Sequence, residues 1–196
     1  MRTVAAVTCM LLCACDASLA HAAGEPPAAQ QAARSASSPL LPSGVFVQFG
    51  DGHGVGSAAV GAIWNLRGER PASRWEIYAE ASLSRWQARG DYPGKAGVLA
   101  QVALVPVLRY RFDEGHSPWF VEGGIGAAAT SSLYQTRNKR FSTAFNFADH
   151  VGLGYAFGPA QRDELVLRAE HFSNASIKHP NPGQNFLQLR YVRRFE

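Results

Sequence analysis

The chain has 196 residues, of which 46% are hydrophobic and 17% charged, with 19 Lys and Arg against 15 Asp and Glu. That length and apolar content suit one folded domain and exclude a disordered or multidomain protein; a net charge of +4, spread along the chain, argues against nucleic acid as a partner, while a pI of 9.2 leaves room for anionic surfaces. Charged content is below the roughly 25% of ordinary soluble domains, yet no stretch reaches the ~20 apolar residues of a membrane helix, so the composition points to a barrel.

At the N-terminus Arg2 precedes an apolar run from Val4 to Cys15 and then small residues around Ala20, His21, Ala22 and Ala23. This is the pattern of a secretory signal peptide, assigned to residues 1–22, with Ala20 and Ala22 both suitable as the last residue removed. Cys9, Cys13 and Cys15 all fall inside it, so the mature chain holds neither a disulfide nor a thiolate metal site. Acylation of Cys15 as a lipoprotein is the rival reading, which Cys13 fits poorly. Residues 23–43 are rich in Ala, Pro, Ser and Gln without apolar period and read as a periplasmic lead-in.

From residue 44 to 196 period-two alternation recurs between clusters of Gly, Pro, Asp, Asn and Ser. Eight segments are predicted, near Gly44–Gly50, Ser57–Leu66, Arg74–Trp86, Val98–Phe112, Pro118–Thr130, Thr143–Phe157, Glu164–Ser173 and Phe186–Phe195. In the third, Trp75, Ile77, Ala79, Ala81 and Leu83 share one face and Glu76, Tyr78, Glu80 and Ser82 the other. In the fourth, Val102, Leu104, Pro106, Leu108 and Tyr110 oppose Gln101, Arg109 and Arg111. The last sets Leu187, Leu189, Tyr191 and Phe195 against Gln188, Arg190 and Arg194, with Arg193 interrupting the oily face.

A soluble sandwich also alternates. Segment length, roughly 10 to 14 residues, favours tilted strands crossing a bilayer. So do aromatic residues near segment ends (Trp75, Trp86, Tyr110, Phe112, Trp119, Tyr155, Phe157) and a final alternating strand with Phe195 next to last. The predicted fold is therefore all-β, an eight-stranded antiparallel transmembrane barrel with both ends periplasmic and a lumen filled by side chains. Glu76, Glu80, Arg109, Arg111, Glu122, Arg168 and Glu170 are expected to pair off inside it.

The stretch from Arg168 to Asn185 carries the chemistry. Continuing the alternation through Leu165, Leu167 and Ala169 puts His171 and Ser173 on the oily face with Cβ atoms roughly 6 to 7 Å apart. A base and a hydroxyl at that spacing are the minimum set for acyl transfer; an interfacial His and Ser at a strand end is the plainer alternative. His171-Phe-Ser173-Asn174-Ala, with Pro180-Asn181-Pro-Gly183 after it, resembles the outer-membrane lipid A 3-O-deacylase family, PagL. The resemblance implies an eight-stranded outer-membrane esterase that removes the 3-hydroxyacyl chain from position 3 of lipid A (lipopolysaccharide) without metal or organic cofactor. Ser173 is then the nucleophile and His171 the base, with Asn174, Asn181 and neighbouring backbone amides near the oxyanion. Outer-membrane lipids are its surroundings and a homodimer is the protein partner to test.

In the resemblance, a member of that family carries a glutamate fourteen residues after the histidine to orient the imidazole; here that place is Asn185. Asn185 shares parity with Leu187 and Leu189 and so faces lipid as His171 does. An amide oxygen can accept the Nδ1 proton, as in Cys-His-Asn enzymes, and the arrangement resembles the Ser-His-Asn site of outer-membrane phospholipase A. Asp149 is the competing acid, by parity on the oily face of the sixth strand; a bulge that turns it inward is expected, because an ionised carboxylate there is costly. Glu170 and His150 belong to the lumen and His179 to a solvated loop. Arg137, Lys139 and Arg140 either meet lipid A phosphates or form a solvated loop cluster. The rival functions are a phospholipid esterase of the same membrane and a non-catalytic structural or adhesive barrel.

Overall fold

The computed structural model describes residues 41–66, 74–88, 98–136 and 139–195. Eight strands follow one another: β1 (Gly44–Gly52), β2 (Val55–Asn65), β3 (Trp75–Ala88), β4 (Val98–Arg111), β5 (Trp119–Thr130), β6 (Phe145–Phe157), β7 (Asp163–Ser173) and β8 (Gln184–Arg194). The predicted boundaries differ from these by at most two residues, because turn-forming clusters stop each alternating run abruptly. The expected signal and residues 23–40 of the lead-in lie outside the described residues. Each strand pairs antiparallel with the next and β1 closes on β8, with Gly44 opposite Arg194. Closure removes every sheet edge, so the backbone satisfies its own hydrogen bonds across the wall as a membrane demands.

The two faces separate sharply. Ile125, Val151 and Leu104 are 70%, 66% and 60% exposed near mid-strand, an arrangement that water penalises and a bilayer rewards. Inside, Arg168 bridges Glu80 at 2.7 Å and Glu122 at 2.5 Å, and Arg190 also holds Glu80. Arg109 holds Glu122 and Glu164, each at 2.8 Å, and Arg111 reaches Glu76. Glu170 departs from the expected ion pairing: its carboxylate accepts from the Gln48 amide at 3.3 Å. A lumen filled this way is a plug rather than a pore.

Trp75 packs on Tyr110 and Trp119 on Tyr155, forming an outward aromatic band at the end where β1 starts and β8 finishes. Short turns, Phe112–Pro118 and Gly158–Arg162, close that end, as on the periplasmic side of outer-membrane barrels. Trp86 is a correction: it is 1% exposed and sits in the lumen at the opposite end. Its parity matches Glu80 and Ser84, and parity overrules position near a strand terminus. Arg193 does face outward and is held by Asp163 at 2.7 Å, to which Tyr191 also donates.

Candidate active site

At the end opposite the aromatic band, the lumen is closed by packed rings. Trp86 meets Phe172 and Phe186, each at 4.8 Å between centroids, and Tyr134, which in turn meets Phe141. Phe172 lies between His171 and Ser173 in the chain, and Phe186 follows Asn185. Inward anchors on alternate residues therefore fix the backbone from which the outward side chains project.

The antiparallel register of β7 and β8 sets His171 opposite Asn185, and the ring Nδ1–H donates to Asn185 Oδ1 at 2.5 Å. This bond selects the tautomer in which Nε2 is unprotonated and free to accept a proton. Ser173, half-buried, stands one outward position further along the strand. Among the described residues its hydroxyl makes no hydrogen bond to the ring; such contacts commonly tighten when substrate enters.

Gly183 is a site residue that sequence reasoning passed over, although it ends the Pro-Asn-Pro-Gly run. Its φ is +63°, and a Cβ built on it would lie 2.7 Å from His171 Cε1. The turn before β8 thus lies against the imidazole and tolerates no side chain there. Lys139 holds the turn down: its Nζ donates to the Gly183 carbonyl at 2.9 Å and to Gln184 Oε1 at 3.3 Å. Its partial burial lowers the ammonium pKa. This lysine is neither simply solvated nor free to point at solvent, and its role depended on a fold-back that spacing does not reveal. Arg140 is exposed and Arg137 lies outside the described residues.

The two candidate oxyanion asparagines are placed together but used differently. Asn174 Nδ2 donates to Ser142 Oγ at 2.9 Å, Thr143 Oγ1 at 3.1 Å and the Lys178 carbonyl at 2.8 Å, clamping two loops. The Asn174 backbone N–H donates to Asn181 Oδ1 at 3.0 Å. That bond turns the Asn181 amide so that Nδ2 is the end without a partner among the described residues.

Asp149 corrects an expectation. Strand β6 runs through it without a bulge, pairing it with Ile125 on one side and His171 on the other, and the alternation of buried and outward residues is unbroken. Its carboxyl therefore stays on the outer wall. Regular pairing to two neighbours left no slack for an extra residue. His150 and Glu170 are buried in the lumen and His179 is exposed, as expected.

Along the wall a groove of about 1000 Å³ is lined by Ile77, Pro106, Leu108, Gly123, Ile125, Asp149, Val151, Ala169, His171 and Asn185. The small side chains of Gly123 and Ala169 open it, and it runs on into a second groove over Trp75, Tyr110, Leu153, Leu167 and Leu187. An imidazole of fixed tautomer, a neighbouring hydroxyl and an apolar trough on the lipid side make up the equipment for acyl chemistry on a lipid.

The fold and site define a class, the closed transmembrane β-barrel whose candidate catalytic groups lie on the outer wall. Residues 47–194 match the family model described as Lipid A 3-O-deacylase (PagL). The chain is 36% identical over 133 residues to the lipid A deacylase PagL of Bordetella bronchiseptica, covering 68% of this chain and 70% of that protein. It is 32% identical over 114 residues to that of Pseudomonas aeruginosa, covering 58% and 62%. The crystal structure of the outer membrane enzyme PagL superposes with a TM-score of 0.63 at 24% identity, over 78% of this chain and 99% of that one. The chain belongs to the lipid A 3-O-deacylase (PagL) family.

Proposed function

We propose that this protein is an outer-membrane serine esterase that removes the ester-linked 3-hydroxyacyl chain from position 3 of lipid A. The observation that carries the reading is the outward pairing of His171 with Asn185 beside Ser173, at the mouth of an apolar groove in the lipid-facing wall. Substrate arrives by lateral diffusion with its acyl chain along the groove, so the chain never has to enter the lumen. Ser173 Oγ attacks the ester carbonyl carbon while His171 Nε2 takes the hydroxyl proton. The carbonyl electron pair moves onto oxygen, where Asn181 Nδ2 is the donor best placed by its own hydrogen bond, and Asn174 supports it through the loop clamp. His171 then returns the proton to the departing sugar oxygen, and a water activated by the same ring releases the fatty acid. Residues 1–22 serve as the export signal in this reading, and homodimerisation is checked by light scattering of the detergent-solubilised barrel.

Mass spectrometry of lipid A from cells with and without the protein tests the activity. Wild type should yield lipid A lighter by one 3-hydroxyacyl group, and Ser173→Ala and His171→Asn should yield none while keeping the heat-modifiable folded barrel. Product formation by Ser173→Ala would assign the nucleophile elsewhere, and equal turnover of glycerophospholipids would move the substrate class.

A further inference from the structure

We propose that Asp149 supplies the negative charge that Asn185 cannot, acting on His171 from the opposite flank as a positioning residue; the inference rests on His171 being the base. Proton uptake turns the imidazole into a cation inside an apolar groove, where an uncompensated charge is costly. Asn185 accepts the Nδ1 proton and fixes the tautomer, but it brings no charge.

The cross-strand pairing Asp149↔His171 puts the two Cβ atoms roughly 4.5 to 5.5 Å apart on the same outer face. Both side chains line the same groove. Asp149 Oδ1 is buried and has no hydrogen-bond partner among the described residues. A barrel wall does not hold an unpartnered carboxylate oxygen for stability, since Asn or Leu at this position would cost less.

Among the described residues no other acid competes for the role. Glu170 points into the lumen and is held by Gln48. From β8 only Asn185 and Leu187 face this side near the ring, and Asp51 lies beyond β8 on β1, opposite Leu187. From the loops, Lys139 is turned to the Gly183 carbonyl and His179 is exposed. Asp149 makes no hydrogen bond to the ring and acts through its field, which favours the imidazolium as it forms during proton uptake.

A kinetic cycle on the purified barrel in detergent micelles, with lipid A as substrate, tests this. Asp149→Asn should lower kcat roughly 10- to 100-fold with KM little changed. Asp149→Glu should recover most of the rate. In an Asn185→Glu background, Asp149→Asn should cost less than about threefold, since Glu then carries the charge. Thermal unfolding gives the opposite sign to a structural role: Asp149→Asn should be at least as stable as wild type, and Asp149→Ser repeats the cycle if the Asn variant does not fold. Equal losses in both backgrounds, or a loss of stability matching the loss of rate, would overturn the proposal. Full turnover by His171→Asn would instead overturn the base assignment on which it rests.

Discussion

Two polar clusters centred three positions apart on β7, at Arg168 and His171, could hardly differ more. Arg168 faces inward with 0% side-chain exposure and holds two glutamates, in a network where nearly every charge has an opposite within reach. His171 faces outward, takes one neutral partner and has an unpartnered carboxyl on its other flank. Satisfied charges inside a closed wall lock a structure. Polar groups left partly unsatisfied on a surface that repels them are instead available to a substrate, and the strand's alternation makes both from one segment.

The comparison breaks first, and by the largest margin, at Arg168. Arg168→Leu takes the shared cation from Glu80 and Glu122, which keep Arg190 and Arg109, and should destabilise the barrel by about 3 kcal/mol, read as urea unfolding in detergent, with turnover per folded molecule unchanged. If turnover fell along with stability, the inner network would also be tuning the site. On the outer side, Asn185→Ala should lower kcat roughly 10- to 1000-fold with the heat-modifiable fold intact. Asn185→Glu should hold or raise the rate, and a silent Asn185→Ala would reduce the outward pair to an interfacial contact.

Gly183→Ala sharpens the contrast by geometry alone. Its methyl would press on His171 Cε1 at a position of positive φ, so about a 100-fold fall in kcat is expected from displacement of the ring, measured beside Gly183→Ser to show that the loss follows side-chain bulk. The smallest effect is expected at Lys139. Lys139→Met removes a charged hydrogen bond from the turn and should cost about fivefold in kcat. A rise in KM confined to bisphosphorylated lipid A, absent with a dephosphorylated substrate, would show that the lysine reads phosphate rather than bracing the turn.

Sequence alone determined the strand count, their boundaries and the face of almost every side chain, because a period of two is a local property that needs no knowledge of neighbours. It likewise placed His171, Ser173 and Asn185 on one face. Trp86 shows that parity outranks position at a strand end: it shares the parity of Glu80 and Ser84 and lies inside with them. What only the tertiary structure decided is which outward groups meet. The pairing of His171 with Asn185, the persistence of Asp149 on the wall beside it, and the fold-back of Lys139 onto Gly183 depend on the register between strands and the path of two loops. Register is set by closure of the whole barrel and by inward packing such as Phe172 and Phe186 on Trp86, a cooperative outcome that no single segment encodes.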